Sequence, residues 1–234
     1  MAATDTEQRD YWTPKVRVIV FGLAATSILC LLMEFYRVCP MRDFTLFIFL
    51  PALILLAAIA WADRLNGNGA VWKAILVGTS AGLLAAVAYD IFRLPFVFAK
   101  QWGIDSVVPP MNLFKVFPRF GAMILNQPLE QAAYPLVTHL VGWAYHFSNG
   151  ATFGVMYIAM IGNPAKRHWL WGVAMAVGLE LGMLLTPYPN TFGISVTSLF
   201  IAVTLIAHLI FGVAMGLGTR RLQTGFARQS LPGY

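Results

Sequence analysis

Residues 138–154, THLVGWAYHFSNGATFG, place His139, His146 and Asn149 among three glycines in a run otherwise apolar enough for a membrane. Polar side chains are expensive in a bilayer, and those that persist there mark ion, proton or substrate sites. Asp90, Glu180 and His208 lie in three further apolar runs. Imidazoles and carboxylates in such a setting can do two kinds of chemistry. As ligands, His146, His208 and Glu180 suit zinc or iron, and three protein ligands leave a position open for substrate. As acid–base groups, Asp90 and His139 would handle protons. His139 and His146 share a helix face but stand about 10.5 Å apart along its axis. They are no H-E-x-x-H pair, so metal ligands must come from different helices. A haem held between His146 and His208 is an alternative ligation. Arg93, Asn149 and Thr204 complete the expected cavity lining.

The helices that must position these residues carry a common spacing. Gly142, His146, Gly150 and Gly154 follow at four-residue steps, as do His208, Gly212 and Gly216. Gly78, Gly82, Ala86 and Asp90 form a third such stripe, and Gly172, Ala176 and Glu180 a fourth. Residues four apart share a helix face, and small residues there let helices approach closely in lipid. In all four stripes the small residues point toward one membrane face and the ionisable residue toward the other. A bundle built this way is tight at one end and open at the other. Counted from the expected outer helix ends, His146 and His208 fall about 18–20 Å deep, Glu180 about 11 Å, His139 about 8 Å and Asp90 about 3 Å.

Composition places these helices in a membrane. The 234 residues are 59% hydrophobic and 11% charged, with mean hydropathy +0.69. Six apolar runs, roughly 15–36, 44–62, 70–92, 134–161, 168–187 and 195–218, reach the length of about 20 residues that a bilayer core requires. The expected fold is an all-α, single-domain polytopic bundle of six transmembrane helices. The connection at 93–133 is expected to be an interfacial or re-entrant cap, because MNLFKVFPRFGAMIL mixes aromatic and basic residues. Ten of the sixteen basic residues, from Arg9 to Arg228, fall on the side of both termini. The positive-inside rule then puts the termini in the cytoplasm, in a bacterial or archaeal inner membrane. Orientation also accounts for the net charge of +6 without nucleic acid as a partner. The first run lacks a small-residue cleavage site after it, which argues against a cleaved signal peptide. Glu34 and Arg37 are expected to pair at a helix end. Cys30 and Cys39 carry no motif.

These features point to a metal-dependent membrane enzyme acting on an apolar or lipid-like substrate, with membrane lipids as its surroundings. Proton or solute translocation is the second reading. A structural subunit of a larger membrane complex or oligomer, with or without haem, is the third. In drawing candidate ligands from different spans the chain resembles the seven-helix ceramidase-type membrane hydrolases. It differs from them in span count and lacks their histidine pair four residues apart, so no residue role carries over. There is no Walker loop, dinucleotide fingerprint or G-x-S-x-G elbow.

Overall fold

The computed structural model describes residues 12–229, with side chains through Thr224. Arg9 and the side chain of Arg228, two of the basic residues counted above, lie outside that range. Regular structure among the described residues is entirely helical. The elements are α1 (Pro14–Phe35), α2 (Met41–Asn66), α3 (Ala70–Val97), α4 (Val116–Ile124), α5 (Leu136–Ile161), α6 (Leu170–Leu184), the single turn α7 (Tyr188–Thr191) and α8 (Ser198–Gln229). Within α2, a widened π turn at Thr45–Phe49 comes just before Pro51, whose ring crowds the carbonyl four residues back.

Four helices are long and apolar enough to cross a bilayer: Pro14–Phe35, Met41–Asn66, Ala70–Val97 and Ser198–Thr224. They make this a helical membrane protein, and side chains such as Val18, Phe47, Ile54 and Leu136 stand bare on its surface, as lipid contact requires. The other two expected spans exist as helices but fall outside that group. α5 has 26 residues but carries His139, His146, Ser148 and Asn149. α6 has only 15 residues and so extends about 22 Å.

Side chains fix the helix ends. Arg17 donates to the carbonyls of Ala159 and Met160, satisfying the C-terminus of α5 where a cation is favoured. One Asp63 carboxylate oxygen accepts the Val71 and Trp72 N–H groups and so caps α3 from the preceding helix. Glu34 does the same for α2 by accepting from Met41 N–H. The expected Glu34–Arg37 pair is absent: that carboxylate accepts from an open helix start, and Arg37 lies past the end of α1 in the left-handed region, with φ 55°.

At the centre stands α3, packed on α2, α5 and α8, while α5 also packs on α1 and α4. α6 leans on α8 and barely touches α5. Within the segment expected as an interfacial or re-entrant cap, a short helix packs into the end of the bundle. Phe117, Pro118, Arg119, Phe120, Gly121 and Ala122 of α4 are buried. The backbones of α4 and α5 are nearly in contact: a Cβ on Gly121 would lie 1.9 Å from the Thr138 carbonyl, and one on Gly142 would lie 1.8 Å from that of Phe117. Amphipathic composition fits a short helix in protein as well as one at a lipid surface, and close glycine packing selects the former here. α4 thus roofs the bundle at the end where the 98–115 and 185–197 loops gather, called the loop end below. The opposite end holds the short turns at 67–69 and 162–169.

Candidate functional site: paired carboxylates and imidazoles

The four stripes pack on one another in two pairs. On α3 and α5, Gly78 and Gly82 face Gly154 and Gly150. A Cβ at Gly82 would come 2.0 Å from the Gly150 carbonyl oxygen, and one at Gly154 would come 1.9 Å from that of Gly78. Ala86 then touches Gly150. The next step toward the loop end sets Asp90 beside His146, with Oδ2 and Nε2 2.8 Å apart. On α6 and α8, Gly172 lies against Gly212 and Gly216, followed by the fully buried Ala176. The following step places Glu180 beside His208, with Oε2 and Nδ1 3.4 Å apart. A helix bearing a carboxylate, followed in the chain by one bearing an imidazole, therefore occurs twice. Each pair is zipped by small residues and ends in an acid–base couple.

Both couples open on one space. An inner cavity of about 140 Å³ is lined by Tyr89, Arg93, His146, Asn149, Glu180 and His208 among others. Asp90 stands behind His146, buried. Nearer the loops, an outer cavity of about 390 Å³ shares Tyr89, Arg93, Glu180 and Tyr188 with the inner one and adds Lys115, Arg119 and Thr204. The roof helix α4 contributes Phe117, whose ring centre is 4.2 Å from that of His146.

The carboxylates and imidazoles have defined partners, whereas Asn149 Oδ1 and the Nε–H groups of Arg93 and Arg119 are buried without one. Arg93 reaches Asp90 Oδ1 at 3.3 Å, donates to the Leu113 carbonyl and lies 4.7 Å above the Tyr89 ring. Asp90 is thereby held by a guanidinium on one oxygen and an imidazole on the other. His208 Nδ1 is 2.9 Å from the Thr204 carbonyl. A carbonyl can only accept, so neutral His208 carries its proton on Nδ1 and keeps a lone pair on Nε2. Tyr89 lies close to both imidazoles, its ring centre 6.2 Å from His146 and 5.0 Å from His208. At the rim, burial pushes the Tyr188 hydroxyl well above its ordinary pKa, so it remains a donor. Outside the helices, the hydrogen bond from Arg119 holds Glu130 below the usual carboxylate range.

Most of the expected residues meet here. Asp90, Arg93, His146, Asn149, Glu180, Thr204 and His208 all lie at or just behind the cavity walls. His139 does not: it is exposed, edge-on to Tyr134 at 6.0 Å. It shares the helix face of His146, but two turns nearer the start of α5 that face has no covering neighbour. Asp90 also lies deeper than expected, because α3 continues through Pro95 to Val97. That puts Asp90 about 10 Å below the helix end, level with its partner.

Among the described residues, no three His, Cys, Asp or Glu side chains gather as a metal-holding group. The expected trio of His146, Glu180 and His208 surrounds the cavity, but His146 is turned to Asp90 and His208 to Glu180. Sequence reasoning missed Tyr89, Phe117, Arg119 and Tyr188. Tyr89 was within reach, since it precedes Arg93 by one helical turn; the other three come from the roof and loops, where no periodicity signals a neighbour. No protein-family model, curated protein or solved structure matches the chain.

Proposed function

We propose that the chain is a six-span membrane enzyme in which the two carboxylate–imidazole couples carry out general acid–base chemistry on the polar end of an apolar or lipid-like substrate. One observation carries this reading: Asp90–His146 and Glu180–His208 face a single cavity whose remaining walls are largely apolar. A carboxylate that orients an imidazole and supports its charged form is the usual arrangement for a side chain that takes up and returns a proton. In the Asp90–His146 couple the Nε2 proton points to the carboxylate, leaving Nδ1 as base. In the Glu180–His208 couple the basic atom is Nε2. Two such groups across one cavity allow one to accept a proton while the other donates. A metal held by His146, Glu180 and His208 would need the three to converge, and no three such side chains gather among the described residues, so the pairing favours proton chemistry by the side chains themselves. α5 and α6 complete the six spans, and the basic turn at 162–169 would lie in the cytoplasm, turning the cavity toward the outer leaflet.

The test is turnover by the purified protein in vesicles of a total polar lipid extract, followed by mass spectrometry. One class of amphiphile should be consumed by the wild type and at least about 100-fold more slowly by folded His146→Ala and His208→Ala. His139→Ala, which lies outside the cavity, should retain wild-type turnover. No consumption of any lipid overturns the enzyme reading. If vesicle-entrapped pH dye instead reports proton flux that the same variants abolish, translocation replaces it. Stoichiometric zinc or iron lost on His208→Ala would return the metal ligands expected from sequence.

A further inference from the structure

Two guanidiniums in the outer cavity have donors that nothing in the protein satisfies. Arg93 and Arg119 are each only 4% exposed, and both line this space. The Nε–H of each is buried without a partner, and each terminal nitrogen makes one of the two bonds that its hydrogens allow. Arg93 is held by Asp90 and the Leu113 carbonyl, and Arg119 by Glu130 and the Phe192 carbonyl. A guanidinium cannot shed its charge, and a buried donor left unpaired is costly. The arrangement calls for an acceptor with several lone pairs between fixed cations.

We propose that the outer cavity binds the anionic head group, a phosphate or carboxylate, of an amphiphile whose first few carbons occupy the inner cavity. This rests on the acid–base reading and names the substrate class for the same site. Lys115 adds a third cation to the lining, and Asn112, Ser195 and Thr197 add neutral polar groups. The formal charge nearby looks balanced by Asp90, Glu130 and Glu180, but the three carboxylates are not equally placed. Asp90 is engaged behind the wall. Glu130 is 66% exposed and screened by water. Glu180 faces His208 at the junction with the inner cavity. Three cations thus line the outer cavity against Glu180 alone, with Glu130 shared between Arg119 and Lys115 on the solvent side. Charge-assisted bonds from an arginine fork to phosphate or carboxylate are the strong kind. The inner cavity, at about 140 Å³, is on the order of a space that takes a benzene-sized apolar group. It offers Ile28, Leu31, Phe120, Phe153 and Phe211 to a chain. Head and chain together would place the bond next to the head group beside His146 and Glu180.

The proposal is tested by binding to the full-length protein in a neutral sugar detergent, read by native mass spectrometry and thermal shift. The probes are dodecyl phosphate, dodecyltrimethylammonium and inorganic phosphate. Dodecyl phosphate should bind and raise Tm, while the other two bind at least about tenfold more weakly. Arg119→Gln should weaken dodecyl phosphate at least about tenfold, and Arg119→Lys, which keeps charge but loses the fork, should do so partly. Should Arg119→Gln fail to fold, Lys115→Gln on the half-exposed rim should still weaken it measurably. Equal binding of the cationic probe overturns the anionic head group. Equal binding of inorganic phosphate overturns the amphiphile in favour of a free anion. No binding of dodecyl phosphate, or none of these variants affecting it, overturns the site. His139→Ala, outside both cavities, should bind dodecyl phosphate as the wild type does. Head-group binding without lipid turnover by any form would sink the acid–base reading alone, and turnover without such binding would sink only this proposal.

Discussion

Asp90 is the residue on which the α3–α5 couple depends, because it holds two side chains at once. Its carboxylate meets Arg93 on one oxygen and His146 on the other, all within a region where charge is poorly solvated. Removing one member of a buried ion pair leaves its partner uncompensated and costs about 3–5 kcal/mol, whereas replacing both by apolar groups is often neutral or better. Asp90→Ala should therefore destabilise strongly, and Asp90→Ala with Arg93→Met should recover much of the loss. Thermal unfolding of the four forms in detergent measures this. If the double variant is as unstable as the sum of the two singles, Arg93 owes its place to the Leu113 carbonyl and the aromatic rings of Tyr89 and Phe114, and not to Asp90. Stability and turnover separate at this residue: the double variant should be stable and still inactive, since His146 has lost its orienting carboxylate.

The small-residue stripes act at the level of whole helices. Gly82 and Gly178 are both helical, yet a methyl group meets opposite surroundings at the two. At Gly82 it strikes the Gly150 carbonyl oxygen at 2.0 Å, whereas at Gly178 nothing lies within 4 Å. The obstacle at Gly82 is backbone, which cannot rotate aside. Gly82→Ala should separate α3 from α5 at a cost of about 1–3 kcal/mol. Gly178→Ala should be neutral or stabilise by up to about 1 kcal/mol through helix propensity. Equal unfolding temperatures for the two variants would mean that the α3–α5 contact is looser than it stands here. The same contrast shows what was legible in the sequence. A four-residue period of small residues ending in Asp, Glu or His reports which faces pack and which end opens, because close approach in lipid permits few other residues. It does not report which stripe meets which, so the His146–Asp90 and His208–Glu180 pairings had to come from the fold. Nor could it place His139 outside: the helix angle is right, and only the absence of a neighbour at that height exposes it. The roof helix escaped for a related reason. Phe117, Arg119 and Phe120 have the composition of an interfacial segment, and only the touching backbones at Gly121 and Gly142 draw them inside.

Across the whole molecule, the unequal helices determine how the bundle can sit in a bilayer. α5 extends about 39 Å and α6 about 22 Å, on either side of the roughly 30 Å hydrocarbon thickness. The short α6 is tied to α8 by the close approach at Gly172, Gly212 and Gly216, and it meets α5 hardly at all. This arrangement needs α5 and α6 to span, with the 98–115 loop on one side and the 162–169 turn on the other. The turn carries Lys166, Arg167 and His168, and α8 adds Arg220 and Arg221 at the same end. The loop holds Lys100 and Lys115. That asymmetry predicts a reporter inserted after Ala165 to be active only in the cytoplasm, and one inserted after Gly103 only outside it. Both reporters on one side would mean that α5, the one expected span between the two insertion sites, does not cross and lies within one leaflet. The opposite result, with the turn outside and the loop inside, would keep α5 as a span and open the cavity to the inner leaflet, where its amphiphile would have to be drawn from cytoplasmic lipid.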